Sequence, residues 1–398
     1  MALLNRARAD MVMDSEGIDA LVASSPENVE YAASFHSQDL WIMPAGHAFA
    51  IVPRDHADPI TLVVGRSDLD LIAAHGSTAE RVVTWGSFFA ARAEDAALGD
   101  VEQRMLLLRE AEPYADPVAA VRAALQGLRV ETGRIALDEY GMRPALRQEL
   151  KAQLSRARLV DGYAVLQRIR MVKSPEEVGR LEHAAEIAEH GLFAAVAAFR
   201  DGVDEHELES VFEREILAQG ARQLFGHLLI GEHGALSNGR PSNRRLHPGE
   251  TVRFDLGCRY LSYTSDIART AIFGEPGARF RQCYDAIQAG EDAALDLLRP
   301  GVTAGAIFAA AVDATRAAGI PEYQRNHVGH GIGIEMYDPP ALTPGNEAVI
   351  EAGMVLNIET PYYELGWNSL AVEDTVLVTA DGYRSLTKSP RRLIEVTP

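Results

Sequence analysis

The sequence predicts two successive domains, an α/β layer domain followed by an α+β domain, and two observations support this. Through the first 165 residues or so, short apolar segments alternate with helical stretches, which is typical of α/β layers. Beyond about residue 225, short strand-like segments and glycine-bearing turns dominate, with two helical stretches between them. We therefore predict domains over residues 1–165 and 166–398.

The first domain is predicted to begin with an amphipathic helix over residues 3–16. The segments that read as strands are 20–23, 49–52, 60–64 and 134–137. Helical stretches between some of them are 66–75, 115–127 and 143–154. Because no glycine-rich phosphate loop follows any of these strands, the sequence gives little support for a nucleotide site.

The second domain opens with a clear helix signal. Ser174 suits the N-cap, Pro175 the first helical position, and Glu177 the third position of a capping box. The helical stretches predicted from this point are 175–200, 204–219, 278–298 and 303–318.

Composition excludes several classes of protein. With 398 residues and a formal net charge of −19, the chain is a poor candidate for binding nucleic acid or an anionic membrane. No apolar run is long enough to span a bilayer. Cys258 and Cys283, the two cysteines, provide no disulfide framework and no thiolate metal site. Charged residues come too early for a signal peptide, so a cytoplasmic location is expected.

Five acidic or imidazole side chains in the last 145 or so positions are the most informative feature of the chain. Each lies in a short apolar or glycine-flanked segment that reads as strand: Asp255, Asp266, His330, Glu359 and Glu373. Ionised carboxylates near a core are costly unless their charge is cancelled. Two divalent metal ions would cancel it, and oxygen-rich ligation with one imidazole suits Mn, Fe(II), Co or Zn.

The motifs around these residues resemble those of the pita-bread metallohydrolases, which include methionine aminopeptidase, Xaa-Pro aminopeptidase, prolidase and creatinase. The segments that carry the resemblance are 171–177, 254–257, 265–270, 329–333, 353–359 and 372–375. The resemblance covers essentially the whole chain and implies a creatinase-like N-terminal domain before a catalytic domain with a curved antiparallel sheet flanked by helices. It also implies hydrolysis of an amide bond in a small substrate, by default an Xaa-Pro dipeptide, and a homodimer.

The family's ligand roles carry over residue by residue. Asp255 is expected to hold one metal alone, Asp266 and Glu373 to bridge the pair, and His330 and Glu359 to complete the second metal. Glu359 is also the carboxylate expected to exchange a proton with the attacking water.

The sequence departs from the family pattern at three positions. Peptide-cleaving members carry a histidine where this chain has Asn238, and a second where it has Tyr337; His233 and His247 lie nearby but out of register. Prolidases also tend to carry an arginine where Ala371 stands. Asparagine cannot shuttle a proton near pH 7, and tyrosine ionises only near pH 10.

These departures leave the substrate open. Retained peptidase activity is one interpretation. Another is a non-peptide hydrolase of the creatinase or ectoine hydrolase type, and a third is a lyase such as the dimethylsulfoniopropionate lyases. A binding protein without catalysis is a fourth, and the intact set of acids argues against it.

Further residues are candidates for contacts around the metals or the substrate. His327 lies three residues before His330, and Glu335 lies beside Tyr337. For these two, a structural histidine and a surface acid are the plainer alternatives. His36 and Trp41 lie in the region that two-domain relatives bring to a neighbouring subunit's site. Trp367 could line the pocket or pack against neighbouring side chains without a role in the site.

Overall fold

A computed structural model describes residues 2–42, 48–95 and 97–398, with the side chains of residues 38 and 39 left out of the description. The chain divides into two compact units, Met1–Arg170 and Met171–Pro398. The domain boundary predicted between residues 165 and 166 falls inside a helix, Gly162–Arg170.

The N-terminal unit is built on a six-stranded mixed sheet. Its strands are β1 (Ala20–Ala23), β2 (Phe49–Pro53), β3 (Thr61–Gly65), β4 (Arg81–Trp85), β5 (Arg134–Leu137) and β6 (Arg158–Asp161). They lie in the order β4-β3-β2-β1-β5-β6. Strand β2 runs antiparallel to both of its neighbours, and the other pairs are parallel. The central strands are buried along their whole length, which explains their continuous apolar sequence.

Eight helices accompany this sheet in the described part of the N-terminal unit. They are α1 (Arg6–Glu16), α2 (Pro26–Ala33), α3 (Gln38–Ile42), α4 (Leu69–His75), α5 (Asp100–Leu108), α6 (Pro117–Gly127), α7 (Pro144–Gln153) and α8 (Gly162–Arg170), with a 3₁₀ turn at Arg66–Asp68. The first begins at Arg6 rather than at residue 3, because the side chain of Asn5 caps it. Helix α2 is not foreseen from the sequence because it is buried nearly all round, so its residues show no amphipathic period.

The helices of the C-terminal unit lie close to their predicted bounds. They are α9 (Pro175–Ala197), α10 (Glu205–Ala218), α11 (Ala278–Leu297) and α12 (Ala304–Ala318). The capping box forms as expected, since the amide of Glu177 donates to Ser174 Oγ at 3.3 Å and the amide of Ser174 donates to Glu177 Oε2 at 2.7 Å. Local chemistry therefore sets the start of α9.

A ten-stranded sheet forms the other layer of this unit. The strands of this unit are β7 (Arg222–Ile230), β8 (Thr251–Tyr260), β9 (Tyr263–Thr264), β10 (Ile267–Phe273), β11 (Gly329–Gly331), β12 (Asp338–Ala341), β13 (Val355–Glu359), β14 (Tyr362–Glu364), β15 (Asn368–Leu370), β16 (Glu373–Val378), β17 (Tyr383–Ser385) and β18 (Ile394–Val396). Strands β14 and β15 form a separate pair, and the other ten form the sheet. The main path runs β12-β11-β13-β16-β10-β8-β7, all antiparallel, and β18 pairs in parallel with β10. A 3₁₀ turn, Gly231–Ala235, follows β7.

The four helices pack against one face of this sheet. Helices α9 and α10 form one core with β7, β8 and β10, and α11 and α12 form another with β13 and β16. Phe254 and Leu256 belong to the first core, so Asp255 between them points to the opposite face. Among the described residues, no helix combines the length and the apolarity that crossing a bilayer requires.

Candidate active site

Strand register places four carboxylates on one face of the C-terminal sheet. Ala268 on β10 lies opposite Asp255 on β8 and also opposite Glu373 on β16. Asp266, two residues before Ala268, has the same orientation because side chains alternate along extended backbone. Glu373 in turn pairs with Glu359 on β13.

The imidazole of His330 lies on the same face as these carboxylates, because β11 pairs with β13. His330 on β11 pairs with Asn357 on β13, and Asn357 lies two residues before Glu359. All five residues singled out from the sequence thus lie on one face, although more than 100 positions separate Asp255 from Glu373 along the chain.

Asp266, His330 and Glu373 form the tightest cluster, with potential ligand atoms all within 4.8 Å of one another. His330 Nδ1 lies 2.9 Å from the carbonyl oxygen of Gly331. Because a carbonyl only accepts, Nδ1 donates, and Nε2 of the neutral ring carries the lone pair. Nε2 and Asp266 Oδ1 are buried and have no hydrogen-bond partner among the described residues. Such orphaned atoms call for an explanation, and an imidazole with two carboxylates suits a divalent cation.

Burial dominates the electrostatics of this cluster. Desolvation raises the pKa of Asp266 to about 7, partly opposed by His330. Desolvation and the neighbouring Asp266 raise the pKa of Glu373 well above its usual value, although the amide of Asn357 donates to Glu373 Oε1 at 2.9 Å. A bound cation would favour the ionised form of both groups.

Asp255 and Glu359 differ from that cluster because each has a cationic partner. Arg253 Nη1 donates to Asp255 Oδ2 at 2.8 Å, and Arg325 Nη2 donates to Glu359 Oε2 at 3.0 Å. His327 Nδ1 lies 3.0 Å from Glu359 Oε1. Burial opposes the ionisation of Glu359, but His327 and Arg325 outweigh it and hold its pKa below the usual value. For Asp255 burial prevails and the pKa is raised.

The site opens into a cavity of about 640 Å³. Its lining residues are Leu224, Phe225, His227, Ser237, Asn238, Asp255, Asp266, Arg325, Asn326, His327, Met336, Tyr337, Glu359, Tyr363 and Glu373. Asn238 and Tyr337, the two replacements noted in the sequence, are both in this wall, and the Tyr337 ring centroid lies 4.1 Å from that of His330. Partial desolvation and the nearby acids raise the pKa of Tyr337, although its side chain is largely exposed, so its hydroxyl stays protonated at neutral pH.

The remaining candidates from the sequence are Glu335, Trp367, His36 and Trp41. Glu335 and Trp367 are not among the described lining residues; Trp367 instead packs against Phe280, and the Arg279 guanidinium lies 4.1 Å from the centroid of the indole. His36 and Trp41 belong to the N-terminal unit, where their ring centroids are 6.5 Å apart and His36 Nδ1 lies 2.8 Å from Glu30 Oε2. Their proposed role at a partner's site stays a prediction.

Sequence reasoning missed His227 and Arg325 in the wall of the cavity, and the buried Arg253 that binds Asp255. His227 on β7 pairs with Asp255 across the sheet, whereas His233 and His247 contact Glu205 and Asp201 instead. Arg253 lies two residues before Asp255 on the same strand, and this spacing, which predicts one shared face, could have identified it. No local signal identified His227 or Arg325.

Comparison with known proteins gives a consistent picture. A model of metallopeptidase family M24 matches residues 179–380, and a model of the creatinase/prolidase N-terminal domain matches residues 5–172. An Xaa-Pro dipeptidase of Pyrococcus horikoshii is 32% identical over 273 residues, which is 68% of this chain and 76% of that protein. One from Pyrococcus furiosus is 32% identical over 232 residues, 58% of this chain and 67% of that protein.

Solved structures agree. The dipeptidase PepE of Mycobacterium ulcerans superposes with a TM-score of 0.77 at 28% identity, covering 99% of this chain and 97% of that one. The prolidase of Pyrococcus horikoshii shares the fold, with a TM-score of 0.75 at 24% identity over 98% of this chain and 99% of that one. The resemblance and the fold class predicted from the sequence are thereby confirmed.

Proposed function

Because the chain belongs to metallopeptidase family M24, we propose that it is a metal-dependent hydrolase of a carbon–nitrogen bond in a small substrate, by default an Xaa-Pro dipeptide. The observation that carries the proposal is the cluster of Asp266, His330 and Glu373 in the wall of a cavity large enough for a dipeptide. Relatives described as Xaa-Pro dipeptidases support the choice of substrate.

Asp266, His330 and Glu373 would hold a divalent cation, for which Mn, Co, Zn and Fe(II) all suit the donor set. The orphaned atoms of Asp266 and His330 fit such an ion. When bound, it supplies positive charge that stabilises a developing oxyanion and makes water a stronger nucleophile. The family resemblance implies two ions, with Asp255 and Glu359 completing the set, and the metal content of the protein tests that implication.

The residues of the chain itself supply the remaining chemistry. Glu359 is the carboxylate that exchanges a proton with the attacking water, and its lowered pKa keeps it ionised and able to accept that proton. The protonated Tyr337 hydroxyl can donate a hydrogen bond to the developing oxyanion. The Asn238 amide can hold a substrate carbonyl without transferring a proton.

His227 is a second group able to carry a proton. Its Nδ1 lies 2.7 Å from the carbonyl oxygen of Gly239, so Nδ1 donates and Nε2 of the neutral ring is left as an acceptor. We propose that His227 takes over part of the proton transfer that Asn238 cannot perform.

A second candidate function is hydrolysis of a non-peptide amide or amidine. The presence of Asn238 and Tyr337 in the cavity wall favours it, because loss of a proton-transfer group costs about 10²–10⁴ in rate. Substrates with better leaving groups, or with charge of their own, suffer less from that loss.

A substrate panel tests the proposal and separates the alternatives. It contains Xaa-Pro dipeptides, tripeptides, creatine, cyclic amidines and a β-sulfonio acid, assayed with Mn²⁺, Co²⁺ or Zn²⁺. Dipeptide turnover with kcat near ~10 s⁻¹ is the expected result, and Asn238→His should preserve or raise it. Slow dipeptide cleavage beside rapid turnover of creatine or an amidine would instead establish the second function. Release of an alkene would exclude hydrolysis.

We also propose a cytoplasmic homodimer. The dimer rests on the family resemblance, and the location rests on the cysteine content, two residues with no disulfide framework.

A further inference from the structure

The carboxylates of the site are of two kinds, and two arginines, the buried Arg253 and the partly buried Arg325, distinguish them. Asp266 and Glu373 are close enough to His330 to share one cation, and Asp266 Oδ1 has no hydrogen-bond partner among the described residues. Asp255 and Glu359 are each already bound by a guanidinium. The family pattern of five ligands does not foresee this difference, since neither arginine belongs to it.

Arg253 is fixed in place from several sides. Its side chain is completely buried, and Nη1 donates to Asp255 Oδ2 at 2.8 Å. Nη2 donates to the carbonyl oxygen of Ser237 at 3.1 Å, and the guanidinium lies 5.1 Å from the ring centroid of Tyr363. An arginine held in this way cannot leave for solvent, and it stays charged at any accessible pH.

Arg325 plays the matching part at Glu359. Nη2 donates to Glu359 Oε2 at 3.0 Å, and Nε donates to the carbonyl oxygen of His327 at 3.3 Å. The guanidinium lies 5.7 Å from the centroid of the same Tyr363 ring, so one aromatic ring is near both cations. His327 Nδ1 faces the other oxygen of Glu359 at 3.0 Å. Both carboxylate oxygens of Glu359 thus have a nitrogen atom within 3.0 Å.

The charges lead to a definite stoichiometry. The four carboxylates carry four negative charges when ionised, and Arg253 and Arg325 cancel two of them. One divalent cation cancels the remaining two, whereas two such cations would leave the site with a net charge of +2. A second cation beside Asp255 would also lie next to the fixed guanidinium of Arg253, which repels it.

We propose that this chain binds one divalent ion tightly, at Asp266, His330 and Glu373, and that Arg253 and Arg325 take the place of a second cation. This inference rests on the metal site of the proposed function. It makes Asp255 and Glu359 acceptors of arginine hydrogen bonds in place of metal ligands.

Metal content tests the inference without reference to activity. The metal-free full-length protein is loaded with excess Mn²⁺, Co²⁺ or Zn²⁺, passed through a desalting column and analysed by plasma mass spectrometry, and calorimetric titration gives the affinities. One ion per chain is expected. Two retained ions with dissociation constants within about tenfold of each other would overturn the inference but not the proposed function, whereas a protein that retains no ion would overturn both.

Two matched carboxamide variants distinguish the two kinds of carboxylate. Asp266→Asn should weaken binding of the ion by more than about 100-fold, and Asp255→Asn by about tenfold at most. Equal loss of the ion in both variants would contradict the inference. In Asp255→Asn the carboxamide oxygen could still accept the Arg253 hydrogen bond, so this variant is expected to fold, and circular dichroism checks it.

The arginines themselves give the converse test. The double variant with Arg253→Met and Arg325→Met should retain two ions per chain, because Asp255 and Glu359 are then left without their guanidinium partners. Arg279→Met, which changes an exposed arginine paired with Glu364, is the control and should retain one. A correctly folded double variant that still holds one ion would contradict the inference; if it does not fold, the wild-type stoichiometry and the Asp255→Asn variant decide.

Discussion

A single buried amide shows how residues behind the site orient its ligands. Asn357 Nδ2 donates to Glu373 Oε1 at 2.9 Å, and Thr375 Oγ1 donates to Asn357 Oδ1 at 2.9 Å. Both Asn357 and Thr375 are buried on the strands that carry Glu359 and Glu373. The pair therefore fixes the carboxylate of Glu373 in one rotamer before any cation arrives, as supporting residues behind metal ligands commonly do.

We predict that Asn357→Ala weakens binding of Mn²⁺ by about 10–100-fold. The reason is that Glu373 loses the donor that orients it, although Asp266, His330 and Glu373 are all still present. Calorimetric titration measures the change, and Thr375→Val should produce a smaller loss in the same direction. Asn243→Ala, at an exposed position, is the control. Unchanged affinity in a folded Asn357→Ala protein would contradict this role.

At the scale of elements, the start of α9 combines a helix cap with a buried acid. Glu177 closes the capping box and also accepts a hydrogen bond from the Tyr263 hydroxyl at 3.0 Å. Burial raises its pKa to about 7, although Lys173 and the Ser174 amide lower it in part. Lys173 itself forms a buried ion pair with Asp338 at 3.1 Å. Asp338 directly follows Tyr337, so the start of α9 is linked to the segment that carries Tyr337.

This raised pKa makes stability depend on pH in a defined direction. The native protein holds the proton of Glu177 more tightly than the unfolded chain does. The stability it contributes is therefore fully present below about pH 4.5 and is lost as pH rises through about 7. The loss is on the order of 3 kcal/mol.

Glu177→Gln keeps a side chain able to close the capping box and removes the titrating proton. We predict that the free energy of unfolding of the variant, relative to wild type, rises between pH 4.5 and pH 7.5. Urea denaturation at both pH values measures it, with Glu176→Gln, one position earlier, as control. A constant difference between variant and wild type would show that Glu177 is not the titrating group.

At the scale of the whole molecule, the cost of the buried carboxylates links metal binding to stability. An ion that binds only the native state stabilises it by about 2.7 kcal/mol at 100 times its Kd. We therefore predict that chelation lowers the Tm by roughly 5–10 °C, measured by calorimetry with and without EDTA. The Tm of Asp266→Asn should not respond to EDTA; an equal response in that variant would mean that the stabilising ion binds elsewhere.

Assembly is the second prediction at this scale. The family resemblance implies a dimer in which residues 35–41 of one subunit approach the metal site of the other. Analytical ultracentrifugation at micromolar concentration should give twice the chain mass of 43.3 kDa, and Trp41→Ala should lower activity without changing metal content. A fully active monomer would rule out this arrangement.

The features of the fold that the sequence predicts are those that depend on residues close together along the chain. Helix starts such as Ser174 and Asn5 depend on neighbouring residues, although only the first was recognised. Local patterns likewise predicted the order of the five candidate ligands and their positions on or directly beside strands, because each lies in a short motif: Asp255, Asp266, His330, Glu359 and Glu373. Helix α2 was not readable, because burial on all sides removes the period on which the prediction depends.

Tertiary structure alone decided which of these acids cluster with His330 and which pair with an arginine. Arg325 lies 34 positions from Glu359 and His227 lies 28 from Asp255, and cross-strand pairing and loop packing bring them together. The raised pKa of Asp266 and the lowered pKa of Glu359 come from the balance of burial against these partners. That balance depends on distances in space, which no local pattern in the sequence specifies.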